Sequence, residues 1–207
     1  MNPFISIWKE PKKTIQYMID NKGLGYGLVI MLLAALSSSV MTFSDTGFLE
    51  GFSLPAILTI AILSGLIISI PVWFINAALY TWIGKLLGGT GNIRNMCLVV
   101  AAGVIPSIWL MPIGIIAVAM YGELLFAAPP GEFSLTNMSI GFYILYNFLL
   151  IAVGIFGLVI LSKGVGLAHN FSSWRGFGTV MIFSGILIVI AILFIMLIFA
   201  GFLWLSV

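Results

Sequence analysis

The chain has 207 residues, of which 62% are hydrophobic and 7% charged, with a formal net charge of +2 and a mean hydropathy of +1.24. Soluble domains carry charge on roughly a quarter of their residues, so this composition excludes a soluble globular protein and indicates an integral membrane one. The small net charge argues against nucleic acid as a partner, and Cys97, the single cysteine, excludes an internal disulfide and argues against a thiolate metal cluster.

Residues 1–22 are polar and amphipathic. Pro11 suits the first turn of a helix, after which Ile15, Met18 and Ile19 share one face opposite Lys12 and Lys13. Periodicity alone allows that face to lie on lipid or to dock on a bundle. Phe4, Ile5, Ile7 and Trp8 are expected to sink into the headgroup region. The segment lacks the short apolar stretch of a cleaved leader and is expected to be retained.

A spanning helix needs about 20 mostly apolar residues. Five segments qualify, at about 24–43, 54–87, 96–121, 139–161 and 178–205. The fold class expected is therefore all-α, an integral membrane bundle of five transmembrane helices over residues 23–207, with an N-terminal interfacial amphipathic helix before it. The second span would be roughly 50 Å long, more than a bilayer core requires, so it should tilt, kink at Pro71 or project from the membrane. Pro106 and Pro112 should kink the third span, removing backbone donors where only protein neighbours or trapped water can replace them. Residues 127–137, with Pro129, Pro130 and Gly131, read as an external turn.

All eight Lys and Arg residues fall on one side of these five spans: Lys9, Lys12, Lys13 and Lys22 before the first, Lys85 and Arg94 in the second loop, Lys163 and Arg175 in the fourth. Random placement would give such agreement about one time in a hundred, so the positive-inside rule sets the N-terminus in the cytoplasm and the C-terminus outside a cell membrane. Asp45, Glu50, Glu123 and Glu132 lie at the opposite side.

No Asp, Glu, Lys, Arg or His lies well inside a span, which argues against proton relays and ion-coupled pumps. The intramembrane polar residues are Asn76, Tyr80 and Asn147, with Ser69 and Ser107; the asparagines are expected to hydrogen-bond across helices. The two inner loops look alike, since Lys85 is followed seven residues later by Asn92, and Lys163 seven later by Asn170. That spacing suggests two copies of one helical hairpin in parallel orientation. In the first loop, Gly88, Gly89 and Gly91 could turn backbone N–H groups toward a phosphate, with Lys85 and Arg94 beside them. The alternative is a tight turn whose cations only set topology; Gly84 and Gly88 also form a small-xxx-small pair suited to close helix packing. The order of residues is not that of a nucleotide-binding P-loop. His169, the sole histidine, has no carboxylate or thiol near it in sequence and reads as a loop hydrogen-bonding group. Lys85, Arg94, Lys163, His169 and Arg175 are expected to converge on one cytoplasmic face, the candidate site for lipid or phosphate.

Asn2-Pro3-Phe4-Ile5-Ser6-Ile7-Trp8 with Pro11 and Thr14, the segment Tyr80 to Arg94 with its Gly-Gly-x-Gly turn, Ile105-Pro106, and Gly166, His169, Phe171, Ser172, Trp174 and Arg175 together resemble the bacterial branch of the YIP (Ypt/Rab-interacting protein) family. The resemblance spans nearly the whole chain and implies five spans with a cytoplasmic N-terminus. Eukaryotic relatives bind small GTPases in vesicle traffic; the long acidic tail that precedes their first span has no counterpart in residues 1–22, so that role is not carried over. In place of the usual alanine, tryptophan and serine pattern before the third-span proline stands Val99-Val100-Ala101-Ala102-Gly103-Val104.

The function expected is that of a non-enzymatic multi-pass membrane protein which binds lipid or partner proteins through its cytoplasmic loops and organises the membrane or a membrane complex. The alternative is a transporter or channel-like subunit for a lipid or small neutral solute, built on the proline-broken helices. Its partners would be membrane lipids, anionic ones included, and a membrane-protein partner or a second copy of the chain. Neither a cofactor nor a metal is expected.

Overall fold

Two short helices open the computed structural model, which describes residues 1–131 and 133–205: α1 (Pro3–Ser6) and α2 (Pro11–Asn21). They are followed by α3 (Leu24–Thr42), α4 (Leu54–Leu86), α5 (Ile93–Ile108), α6 (Met111–Tyr121), a 3₁₀ turn at Gly122–Phe126, α7 (Ile140–Ala168) and α8 (Ser173–Leu205). Four helices, α3, α4, α7 and α8, are each long and apolar enough to cross a membrane. The bent pair α5 and α6, which turns by 44° at the break, passes the same test only when the two are taken together as one span. The molecule is thus an all-helical membrane bundle with a short helical segment at its N-terminus.

α5 is the centre, packed on α3, α4 and α7, while α8 packs on α7 and α4. Its sequence explains this: from Met96 to Ala102 every residue is buried, and the run mixes small and branched side chains that let neighbours approach from several sides. The outer part of α8 faces away from protein, with Ile186 to Ile198 largely exposed, as lipid-facing side chains are.

The proline expectations divide. Pro71 lies inside α4, which stays one helix from Leu54 to Leu86. The third span is not one helix: Pro106 sits two residues before the end of α5, and Pro112 is in the first turn of α6, where a missing N–H costs no helical bond. The break between them exposes carbonyls, and the Ser37 hydroxyl of α3 donates to the Ser107 carbonyl at 2.8 Å. Ser37 is the protein neighbour that replaces a lost donor at this depth.

Two span boundaries also move. α7 continues to Ala168 and α8 begins at Ser173, so Lys163 and Arg175 stand on helices rather than in a loop. Apolar runs end at the first charge, but a helix satisfies its own backbone on either side of that charge. Glycine lets the two extensions touch: a Cβ at Gly176 would lie 2.8 Å from the Gly166 nitrogen, and one at Gly166 would lie 3.1 Å from Ser173 Cα.

The N-terminal segment docks on protein. Ile15 and Met18 are fully buried, with α2 against α5 and α7. Ile7, expected in the headgroup region, is also fully buried, because α1 folds back on α2 and α5. Trp8 stacks on Phe156 of α7, ring centroids 4.9 Å apart.

At the opposite end, Leu125 and Phe126 turn inward against Met41, Leu49 and Ile57. Asp45 accepts from Thr136 Oγ1 and the Asn137 N–H, both at 2.7 Å. Glu123 accepts from the Leu54 N–H at 2.9 Å, which places a carboxylate at the positive end of α4.

Candidate functional site

The cation-rich end is built from two helix terminations of one design. α4 closes with Gly89 N–H donating to the Gly84 carbonyl (2.9 Å) and Gly88 N–H to the Lys85 carbonyl (3.0 Å). α7 closes with Phe171 N–H donating to Gly166 (3.0 Å) and Asn170 N–H to Leu167 (3.2 Å). Both are Schellman caps, each with a residue in the left-handed region after the helix: Gly88 at φ +83° and Asn170 at φ +57°. The correspondence proposed from sequence does not hold residue by residue. Asn92 instead caps the start of α5, accepting from the Asn95 N–H at 2.9 Å, so Asn92 and Asn170 do different work.

Between the two caps lies His169, 1% exposed. Gly91 N–H donates to Nδ1 at 3.0 Å, which fixes the proton on Nε2, and Nε2 faces the Tyr80 carbonyl at 3.3 Å. The ring stacks on Phe171, centroids 5.3 Å apart and 8° from parallel. Thr90 N–H donates to the His169 carbonyl at 3.2 Å, and Asn170 Nδ2 to Thr90 Oγ1 at 3.0 Å. Burial pushes the imidazole below its ordinary value; the hydrogen bond to Tyr80 opposes this and nearby Lys85 adds to it. His169 is therefore neutral at pH 7.

The glycines are the walls of this cradle. A Cβ on Gly84 would run into His169 Nε2 and lie 2.6 Å from Cε1; one on Gly89 would lie 2.7 Å from Cγ; one on Gly91 would lie 2.8 Å from Nδ1. Gly84 thus packs on a ring rather than on another helix, and Gly88, with open space around it, is needed for its backbone angle.

This geometry changes the phosphate reading. The amides of Gly88, Gly89, Thr90 and Gly91 are all donated to protein acceptors, so this run offers no free N–H for an anion, and His169 is sealed with both nitrogens engaged. What the helix ends beside these loops do present is charge. Lys85, Arg94 and Arg175 are exposed and Lys163 is half-buried. None of them forms a salt bridge among the described residues, where the ion pair is Lys13 with Glu10 at 2.9 Å. Arg94 Nη2 reaches the Lys22 carbonyl at 3.4 Å, tying this rim to the docked N-terminal segment.

The intramembrane asparagines do not bridge helices. Asn76 Nδ2 donates to the Val72 carbonyl (2.9 Å) and Asn147 Nδ2 to Tyr143 (2.9 Å), each on its own helix. A buried cross-helix polar contact runs instead from Trp73 Nε1–H to the Cys97 carbonyl, 2.8 Å; it is not legible in sequence because Trp73 reads as one more apolar residue. Ser37 was missed likewise, and Phe171 entered only through the family resemblance and not as the partner of His169. A serine in a span and an aromatic after a histidine are common, and only the fold shows what they touch.

An all-helical bundle of this hydropathy, with spans of these lengths, is a multi-pass membrane protein. The Yip1 domain model matches residues 5–205, and the chain belongs to that family. No match was found among curated proteins or among solved structures.

Proposed function

We propose that this protein is a non-enzymatic membrane organiser whose cation-rich end binds anionic lipid headgroups of the cytoplasmic leaflet. The observation that carries the reading is the rim of cations without salt bridges, Lys85, Arg94, Lys163 and Arg175, which stand on the helix ends beside two interlocked caps, the first of which spends its glycine amides internally. Each cation near an anionic surface contributes about 1 kcal/mol, and a rigid scaffold loses little entropy on binding. The glycines and His169 then act as scaffold and the side-chain cations as contacts. The positive-inside rule supports a cytoplasmic position for this rim and for the N-terminus. A membrane-protein partner or a second copy of the chain would engage the same surface.

Native mass spectrometry of the protein purified with native lipids tests this, comparing wild type with the Arg94→Ala, Arg175→Ala double variant. Retention of an anionic lipid by wild type and its loss from the variant is the expected result. Identical lipid profiles would reduce both arginines to topology signals. The bent third span supports a second reading, passage of a lipid or small neutral solute; flux in proteoliposomes that is lost on Asn76→Leu would favour it.

A further inference from the structure

A lateral cleft of about 330 Å³ lies between α4, α5 and α7, with Asn76 and Tyr80 on its α4 wall and Leu150 and Gly154 on its α7 wall. Asn76 and Tyr80 are four residues apart and so share one face of α4. Tyr80 is 6% exposed, and its hydroxyl has no hydrogen bond among the described residues, where no sealed side-chain N or O is left without a partner. The hydroxyl therefore opens into the cleft. Asn76 spends one N–H on Val72, leaving its second N–H and its oxygen without partners among the described residues.

The neighbouring cleft between α3 and α4, about 340 Å³, differs in this respect. Its serines Ser38, Ser39, Ser64, Ser69 and Ser107 all donate to carbonyls of their own helices. The remaining polar side chain of the Tyr80 cleft, Ser107, donates to the Val104 carbonyl, and of the two clefts this is the one with unspent donors. Hydrocarbon offers no water to satisfy them, and leaving such a group unbonded costs several kcal/mol.

We infer that this cleft holds one acyl chain of a glycerolipid, whose ester carbonyl accepts a hydrogen bond from the Tyr80 hydroxyl. Tyr80 lies five residues in from Lys85, roughly 8 Å along the helix, which is the depth of the boundary between headgroups and hydrocarbon. The chain runs from there past Gly154. A Cβ at Gly157 would lie 2.9 Å from the Gly103 carbonyl, so these glycines hold α5 and α7 together as the floor; a Cβ at Gly154 would meet nothing within 4 Å. The inference takes its class of ligand from the lipid-binding reading and is independent of the rim cations.

The test uses the full chain in phosphatidylcholine vesicles doped with a phosphatidylcholine carrying a diazirine on one acyl chain. Labelling is mapped by mass spectrometry, with Ile186 to Ile198 of α8 as the bulk-lipid reference. Residues 150–161 are expected to label above that reference. Gly154→Leu, which fills open space, should abolish the excess, and intrinsic fluorescence unchanged from wild type confirms its fold. Tyr80→Phe should lower the excess about fivefold, as loss of one hydrogen bond predicts, and an ether-linked probe lacking the carbonyl should be insensitive to that change. Arg94→Ala, Arg175→Ala should leave cleft labelling intact, which separates this site from the rim. Labelling no higher than the α8 reference, or unchanged in Gly154→Leu, would overturn the assignment.

Discussion

The two inner loops end their helices with the same hydrogen-bonded cap but present opposite surfaces. The first, from Gly84 to Gly91, is stripped of side chains where it faces inward; the second offers one ring, His169, to fill that space. Glycine content in the first loop is therefore a shape complement to a residue 78 positions away, rather than a sign of flexibility or of a ligand. Two loops that look like repeats in sequence work as a socket and its plug.

The largest effect expected is from Gly84→Ala. The added methyl would run into His169 Nε2, and Phe171 stacked on the ring opposes its retreat. A loss of about 3 kcal/mol is expected from overpacking of this kind, read as a lower midpoint in thermal unfolding. His169→Ala should cost about 2 kcal/mol, since it leaves a cavity and removes the partners of the Gly91 N–H and the Tyr80 carbonyl. The double variant should be more stable than Gly84→Ala alone, because the cavity accepts the methyl. Additive losses would show that the two loops do not meet as described.

Much of this was legible beforehand. An all-helical membrane bundle with four or five spans, a docked or interfacial N-terminal helix and one cation-rich side follow from hydropathy and charge, which are sums over many residues. What the sequence did not disclose is which groups meet. Asn76 and Asn147 bond within their own helices because a carbonyl four residues back is always in reach, while an interhelical partner depends on rotation of both helices. The extension of α7 past Lys163 was hidden because the end of an apolar run marks the bilayer and not the helix. His169 was identified as a loop hydrogen-bonding group, but its glycine cradle involves residues from two hairpins, and spacing within either one is silent about the other.

The same pairing predicts a pH dependence. His169 titrates below its ordinary value of 6.5 in the folded protein, so the unfolded chain binds more protons between the two values. Stability is thus complete above about pH 6.5 and declines as pH falls through the lowered native value. Unfolding midpoints of wild type should drop from pH 7 to pH 5, and His169→Gln should flatten that portion of the profile. A wild-type profile identical to the variant's would mean that the imidazole is as accessible to protons folded as unfolded.

The smallest effects test the caps themselves. Gly88 and Asn170 occupy the same left-handed position in the two loops, yet only one is glycine. Asparagine tolerates this region better than other residues with a side chain, and a Cβ at Gly88 would meet nothing within 4 Å. Gly88→Asn should therefore cost only a few tenths of a kcal/mol, and Gly88→Ala about 1 kcal/mol. Asn170→Gly has a second consequence, because it removes the hydrogen bond from Nδ2 to Thr90 Oγ1 that joins the loops; it should cost about 0.5–1.5 kcal/mol despite an easier backbone. If Gly88→Asn proved as damaging as Gly84→Ala, the glycine at position 88 would be serving contact rather than conformation, and the distinction between cradle and cap would fail.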